Sequence, residues 1–547
     1  MRNFFYTAII LVLLAPNTWA IPFKGQNLVI SAQNKLATDA GQKIAEQGGN
    51  VVDVAVATVL AMAVTNPTNS TLGGGGFAIV RMGKSKEVLD FREKAPAATH
   101  PEYFKNKPKD ASITGGAAVA VPGIPAGLYE LHKKYGKLHW SRLFDEPIRL
   151  AQRGYRVSGE LAEDYTAHAM RFSKGAKKHF LKNNTHTYKA GEIHVQKGVA
   201  RALSEMRNRN IVSFYNGPIA KDIVDSVKAA GGDMTLKDLQ SYKPIWREPL
   251  TTEYAGYKLY LMPPPSSGGI VIKTALSLIE KMDLKKYPER SVDEFHLLGE
   301  ILSRSFRGRM QIADPDFHKV PLTQLTSTDT IEELAKSIKL SESTPIAVLT
   351  EDQPSEKVQT THLSVLDKFG NAVAMTITLN GDFGSAVATE NYGIMLNNEM
   401  DDFTTRPGEP NLFGLIQGQG NLVAPGKRPL SSMSPTLVEK DGKIVMAIGA
   451  PGGPRIISSV LQVLYRTLGR GQNLEAAVEA PRVHHQLLPN KLMIDEQRFT
   501  PETIAALRER KHNIEESWQA RVYATRMVDG VLEAVADTRG EGGTAGF

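Results

Sequence analysis

The alternation of apolar and polar positions is clearest just after residue 360. Leu363 and Val365 alternate with Ser364, and a turn-rich Asp367-Lys368-Phe369-Gly370-Asn371 follows. A second run rich in β-branched residues, Ala372-Val373-Ala374-Met375-Thr376-Ile377-Thr378, comes next. This pattern predicts a β-hairpin with a loop of about five residues. With Leu366 facing Ala372, counting back along both strands sets Thr360 opposite Thr378. Upstream, residues 350–357 have the polar composition of an exposed loop. Two threonine hydroxyls facing each other beside a cleavable-looking loop suggest an activated nucleophile. A plain cross-strand threonine pair, worth roughly a few tenths of a kcal/mol, is commoner, and on the hairpin alone it is preferred.

Elsewhere the pattern predicts a strand over 27–32, then a helix with Ala37, Ala40 and Ile44 on one face that stops at Gly48-Gly49. Val51 to Val64 is apolar nearly all round, as in a helix buried on every side. The run Gly73-Gly74-Gly75-Gly76 precedes strands at Phe77–Arg81 and Val88–Arg92. It lacks the spacing of a phosphate loop, and four glycines instead allow close approach to another chain segment. From about Ala126 to Lys339, helices mix with short strands without regular βαβ alternation, which points to α+β packing. A hairpin around Lys440-Asp441-Gly442 leads through Gly449–Arg455 into an apolar helix from Ile456 to Leu468.

The amino terminus departs from this picture. Met1-Arg2-Asn3, an apolar Phe4–Leu14 and Thr18-Trp19-Ala20 read as a secretory signal peptide cut after Ala20. No later segment is long enough to span a bilayer, so the mature protein is expected to be free of membrane, either periplasmic or secreted. The chain has no cysteine, which excludes disulfides, thiol nucleophiles and cysteine metal sites. The net charge of +7 is spread among acidic and apolar residues with no aromatic stacking pattern, which argues against nucleic-acid binding. His484 and His485 are adjacent and no H-E-x-x-H occurs, so neither a metal nor any other cofactor is expected.

Several polar groups carry candidate chemistry. Arg92 is placed to bind a carboxylate bidentately, although a surface ion pair is the commoner use. Glu399 and Asp402 offer a site for an ammonium group, against the default of a solvated turn. Gly452 and Gly453, between strand and helix, present backbone N–H groups suited to a phosphate or an oxyanion, and a plain turn is an equal reading. Ser431-Ser432 lies outside any G-x-S-x-G elbow. Arg406 to Gly420, rich in Pro, Gly and Gln, has the composition of a lid.

Taken together, Leu72–Phe77, Asp90-Phe91-Arg92, Thr360-Thr361-His362, Leu396–Phe403, Pro429–Pro435 and Pro451-Gly452-Gly453 resemble the motifs of the γ-glutamyltransferase (γ-glutamyltranspeptidase) family, in the family's order. The resemblance implies a four-layer αββα sandwich of the N-terminal-nucleophile hydrolase type. It also implies self-cleavage at Gln359–Thr360 into subunits 21–359 and 360–547 that stay together as a heterodimer. Thr360 is then the nucleophile and Thr378 its hydrogen-bonding partner, while Gly452 and Gly453 form the oxyanion hole. Arg92, Ser431 and Ser432 correspond to groups that hold the glutamyl α-carboxylate, and Asn380, Glu399 and Asp402 to those that hold its α-amino group. The implied reaction transfers a γ-glutamyl group from glutathione or a related amide to water or to an amino-acid or peptide acceptor. Phe413 departs from the family, since many bacterial members have there a tyrosine that hydrogen-bonds the counterpart of Asn380. Two other readings are a same-fold acylase acting on glutaryl or poly-γ-glutamate substrates and a non-catalytic periplasmic binding protein. Asp402 argues against the glutaryl acylase, and intact Thr360 and Thr378 argue against the binding protein.

Overall fold

The computed structural model describes residues 22–345 and 360–547; the expected signal segment, the polar loop at 350–357 and Gln359 lie outside the described residues. Two seven-stranded sheets form the centre. In the first, Gly543–Gly546, Leu28–Ala32, Thr361–Asp367, Ala372–Thr378, Gly75–Met82, Ser85–Phe91 and Ile245–Arg247 are neighbours in that order. The second orders Phe23–Gly25, Val531–Ala536, Tyr523–Val528, Lys443–Gly449, Thr436–Lys440, Tyr257–Leu261 and Leu250–Tyr254. All ladders within the two sheets are antiparallel.

Period-two alternation distributes the side chains. Leu363, Val365, Val373, Met375 and Ile377 belong to the core shared with helices Lys35–Glu46 and Val51–Thr65. Leu366, Ala372 and Ala374 belong to the core between the sheets, which continues to helices Gly268–Lys281, Val292–Phe306 and Arg455–Leu464. Helices, sheet, sheet, helices: the four-layer α+β sandwich is present. Helix Val51–Thr65 is buried at every position, as its unbroken apolar pattern predicts. It starts at a capping box in which the Asn50 side chain accepts from the Asp53 N–H and the Asp53 carboxylate accepts from the Asn50 N–H.

The glycine run is where backbones cross. A Cβ on Gly73, Gly74, Gly75 or Gly76 would lie 2.0–2.4 Å from Met395 O, Thr378 O, Glu93 Oε2 or Thr376 O respectively. The strand starts inside the run, at Gly75, and pairs with Thr378. The hairpin register agrees with the count from sequence, with Leu366 opposite Ala372 and Thr361 opposite Ile377. His362 emerges on the same side as Leu366, between the sheets. It is fully buried, its Nδ1 is 2.8 Å from Thr376 Oγ1, and its Nε2 is 3.0 Å from Ser364 Oγ. Ser364 in turn donates to Tyr523 O in the opposite sheet. The ring lies against Gly449, where a Cβ would come within 2.2 Å of His362 Cε1. Gly449→Ala should therefore force the ring off its two partners and lower stability by about 1–3 kcal/mol. A thermal midpoint equal to the parent's in differential scanning calorimetry would refute this.

Candidate active site

Thr360 immediately precedes its strand, so the same alternation that turns His362 inward turns Thr360 into a small cavity between the sheets. Its Oγ1 lies 3.4 Å from Thr378 Oγ1, longer than a well-formed hydroxyl hydrogen bond. The N–H of Asn380 donates to Thr378 Oγ1 at 2.8 Å. That bond occupies a lone pair on Thr378 and leaves its proton to be directed at Thr360. Asn380 holds a left-handed backbone, φ +77°, a conformation asparagine tolerates better than most residues. Thr361 points the other way, and its Oγ1 is 2.9 Å from both Gln33 Oε1 and Asn69 Oδ1. A hydroxyl has one proton, so one of these amides must present its NH2 group.

The cavity gathers nine of the ten residues expected from the sequence: Thr360, Thr378, Asn380, Arg92, Glu399, Asp402, Ser431, Ser432 and Gly453. Gly452 lines a neighbouring cavity instead. The two glycines form the turn between strand Lys443–Gly449 and helix Arg455–Leu464, with φ of +123° and +56°. Both angles lie in the region that favours glycine.

Arg92 and the acids are not at the surface. Arg92 follows the last residue of its strand, Phe91, and is 1% exposed; Glu399 is fully buried and Asp402 is 6% exposed. The Arg92 Nη1 lies 2.5 Å from Glu399 Oε1, and Nη2 donates to Asp402 Oδ2 at 2.6 Å. The Arg92 Nε and Nη2 also reach the carbonyls of Pro429 and Leu430, at 3.3 Å each. The ion pair and the turn are thus real but buried, because the lid segment closes over them. Asn411 Nδ2 donates to Asp402 Oδ1 at 3.1 Å, and Gln417 and Asn421 both donate to the Asp402 carbonyl at 2.7 Å. At the tip, the Phe413 carbonyl accepts from Gln486 Nε2 at 3.0 Å. The Phe413 ring lies over Gly453, where a Cβ would sit 2.4 Å from its Cδ1.

Sequence reasoning missed Glu93. It is fully buried, and its Oε2 is 3.8 Å from Arg92 Nη1. Three carboxyl groups therefore face one guanidinium out of contact with bulk solvent. Burial, opposed by Arg92, lifts Glu93 to about 7 and Glu399 well above the usual carboxylate range. Arg92 itself is held charged, because Glu399, Asp402 and Glu93 outweigh its loss of solvent. Adjacency to Arg92 was the one available signal for Glu93, and it does not reveal on which side of a strand end the carboxyl falls. Among the described residues no group of three His, Asp or Glu side chains is arranged to hold a metal ion, and no helix is long and apolar enough to cross a membrane. His484 is fully buried, held by Ser458 and Gln486.

Comparisons with known proteins agree on one family. The gamma-glutamyltranspeptidase family model matches residues 37–547. The glutathione hydrolase proenzyme of Escherichia coli is 39% identical over 497 residues, covering 89% of this chain and 85% of that protein. That of Pseudomonas aeruginosa is 39% identical over 536 residues, covering 94% and 93%. Among solved structures, a cephalosporin acylase from Bacillus halodurans superposes with a TM-score of 0.85 at 26% identity over 98% of this chain and 99% of its own. The Helicobacter pylori gamma-glutamyltranspeptidase superposes with 0.55 at 35% identity over 57% and 91%. With the paired threonines, the buried arginine and acids and the double-glycine turn in one cavity of an αββα sandwich, the chain belongs to the γ-glutamyltranspeptidase family.

Proposed function

We propose that this γ-glutamyltransferase is exported, cuts its own Gln359–Thr360 bond, and uses glutathione and related γ-glutamyl amides as donors. The observation that carries the reading is the Thr360–Thr378 hydroxyl pair in the same small cavity as Arg92, Glu399 and Asp402. Before cleavage the Thr360 nitrogen is an amide and cannot take a proton. After cleavage it is an amine, with a pKa of roughly 8 in model peptides, and serves as base for its own hydroxyl. Thr360 Oγ attacks the γ-carbonyl, the N–H groups of Gly452 and Gly453 receive the developing oxyanion, and the leaving amine takes the proton. Water or an acceptor amine then releases the γ-glutamyl group from the Thr360 ester. Residues 21–359 and 360–547 remain together as two subunits, released to the periplasm or the medium.

The charges of the site suggest how it selects a donor. Arg92 pairs directly with Glu399 and Asp402. A glutamyl α-carboxylate takes Arg92, helped by Ser431 and Ser432, while its α-ammonium takes the two acids, helped by Asn380. The zwitterion brings one charge of each sign, so each end finds a partner and the net charge of the site is unchanged. A glutaryl group has a carboxylate and no ammonium, so it would take Arg92 and leave Asp402 without a cation, at a cost of about 3–5 kcal/mol. This separates the proposal from a cephalosporin acylase, the activity named for the Bacillus halodurans structure. The test is a denaturing gel with amino-terminal sequencing, followed by assay on γ-glutamyl and glutaryl anilides. A smaller band beginning Thr-Thr-His and a preference of at least roughly a hundredfold for the γ-glutamyl anilide are expected. An intact chain with no anilide hydrolysis, or equal rates on both anilides, would refute it.

A further inference from the structure

Helix Val292–Phe306 runs on into a tight 3₁₀ turn, Arg307–Gln311, which carries a second buried guanidinium linked to the nucleophile's cavity through the lid. Arg309 is 3% exposed, and its hydrogen bond goes to a neutral amide: Nη1 donates to Gln417 Oε1 at 3.1 Å. Taking a charge out of water costs free energy, and an amide oxygen offsets less of that cost than a carboxylate would. Burial draws the guanidinium down to about 10, opposed by attraction from Asp402 and reinforced by repulsion from Arg92, so it stays charged at neutral pH.

Gln417 passes the contact on. It is buried at the base of the lid segment, and its Nε2 donates to the Asp402 carbonyl at 2.7 Å. Asn421 completes the network. Its Nδ2 donates to the same carbonyl at 2.7 Å and to Gln417 Oε1 at 3.0 Å, while its Oδ1 accepts from the Leu430 N–H at 3.0 Å. Leu430 precedes Ser431, so one set of amides ties the acid end of the cavity to its serine end. Beside Gln417, a Cβ on Gly418 would lie 2.0 Å from Met310 O, so the lid base is seated directly on the turn that carries Arg309. An amide side chain can turn over and exchange its oxygen and nitrogen, but a guanidinium can only donate. Arg309 therefore fixes Gln417 with its oxygen toward the turn and its NH2 group toward Asp402.

We propose that Arg309 is a positioning residue of the donor site, which sets the Gln417 amide and thereby holds Asp402 where the donor's α-ammonium needs it. The inference rests on the γ-glutamyltransferase reading above. Arg309 belongs to residues 21–359 and Gln417, Asn421 and Asp402 to residues 360–547, so the contact crosses the proposed subunit boundary. A residue that does not donate there frees Gln417 to turn its oxygen toward the Asp402 carbonyl, and the two oxygens repel. The acid then leaves its place beside Arg92. The effect falls on the α-amino end of the donor, whereas the γ-carbonyl end stays over Thr360.

The experiment measures hydrolysis of γ-glutamyl-p-nitroanilide by the self-processed enzyme, with L-glutamate and glutarate as competing ligands. Arg309→Met should raise KM about tenfold while kcat stays within about threefold, the mark of lost binding and not of lost chemistry. Inhibition by L-glutamate should weaken by the same factor and inhibition by glutarate should not, because glutarate has no ammonium for Asp402. Arg309→Lys keeps a charged donor and should recover most of the affinity. Gln417→Met should raise KM to a similar extent, and combining it with Arg309→Met should add nothing, since both residues act through one contact. Equal weakening of the two inhibitors, KM increases that multiply in the combined variant, or a parental KM in Gln417→Met would overturn the proposal. If Arg309→Met does not fold, the inhibitor contrast in Gln417→Met decides by itself. Absence of donor hydrolysis in the parent would overturn the γ-glutamyltransferase reading instead.

Discussion

Thr360→Ala is expected to leave the chain uncut and without measurable γ-glutamyl anilide hydrolysis, a loss of at least about 10⁴-fold. In the proposed chemistry one oxygen does both jobs. It attacks its own preceding carbonyl once, to cleave the chain, and then attacks each donor. Alanine keeps the backbone and the strand but removes that oxygen, so neither ester can form. Thr360→Ser keeps the oxygen and should still be cut, which separates loss of chemistry from loss of fold. Thr378→Ala should fall between them, because it removes the hydroxyl 3.4 Å away while leaving the nucleophile in place. A cleaved Thr360→Ala variant, seen as two bands on a denaturing gel, would show that another residue drives processing.

The second large effect is in pH stability. Five histidines, His194, His362, His484, His485 and His512, are buried and pushed down to about 3–4, chiefly by burial away from solvent. The unfolded chain protonates them near 6.5 and the folded chain does not, so their contribution is complete above that pH and is lost on acidification. Buried acids act in the opposite sense. Burial lifts Glu93 and Asp164 to about 7 and Asp401 to about 6, so the folded chain takes up protons there first and is relieved by mild acid. From pH 7 to 6 the two sets oppose each other and the melting temperature should fall only slightly. Below pH 6 the five histidines outweigh the three lifted acids, whose relief ends only as the unfolded chain takes up the same protons near 4. The net loss is on the order of 2–3 kcal/mol per pH unit down to pH 4, against about 5–15 kcal/mol for the whole stability of a typical domain. Calorimetry across pH 7, 6, 5 and 4 should show a decline that steepens below pH 6. A melting temperature that stays level down to pH 5 would contradict this balance.

What the sequence made legible was what local period governs. Alternation alone placed Thr360 opposite Thr378, and four adjacent glycines announced a close backbone crossing before its partners, Met395 and Thr378, were known. The charged groups were harder. An acid in a polar stretch is by default solvated, and Glu399 and Asp402 contradict that default only because Arg92, more than three hundred residues earlier, ends its strand beneath them. Nothing local distinguishes Glu93 from any acid following an arginine. Tertiary convergence, rather than weak propensity, is what hid these groups.

The interleaving of the strands has a further consequence for the proposed cut. In the first sheet Leu28–Ala32 lies between Gly543–Gly546 and Thr361–Asp367, and in the second four strands from after residue 359 lie between strands from before it. The two products are therefore woven together, and pulling one out means tearing both sheets apart. Folding is a one-chain event, but once the bond is cut, unfolding releases two molecules that must find each other again. The proposed cut would thus work as a ratchet: it would leave the working enzyme intact and make its denaturation hard to reverse, so that dilution alone should decide whether an unfolded sample recovers.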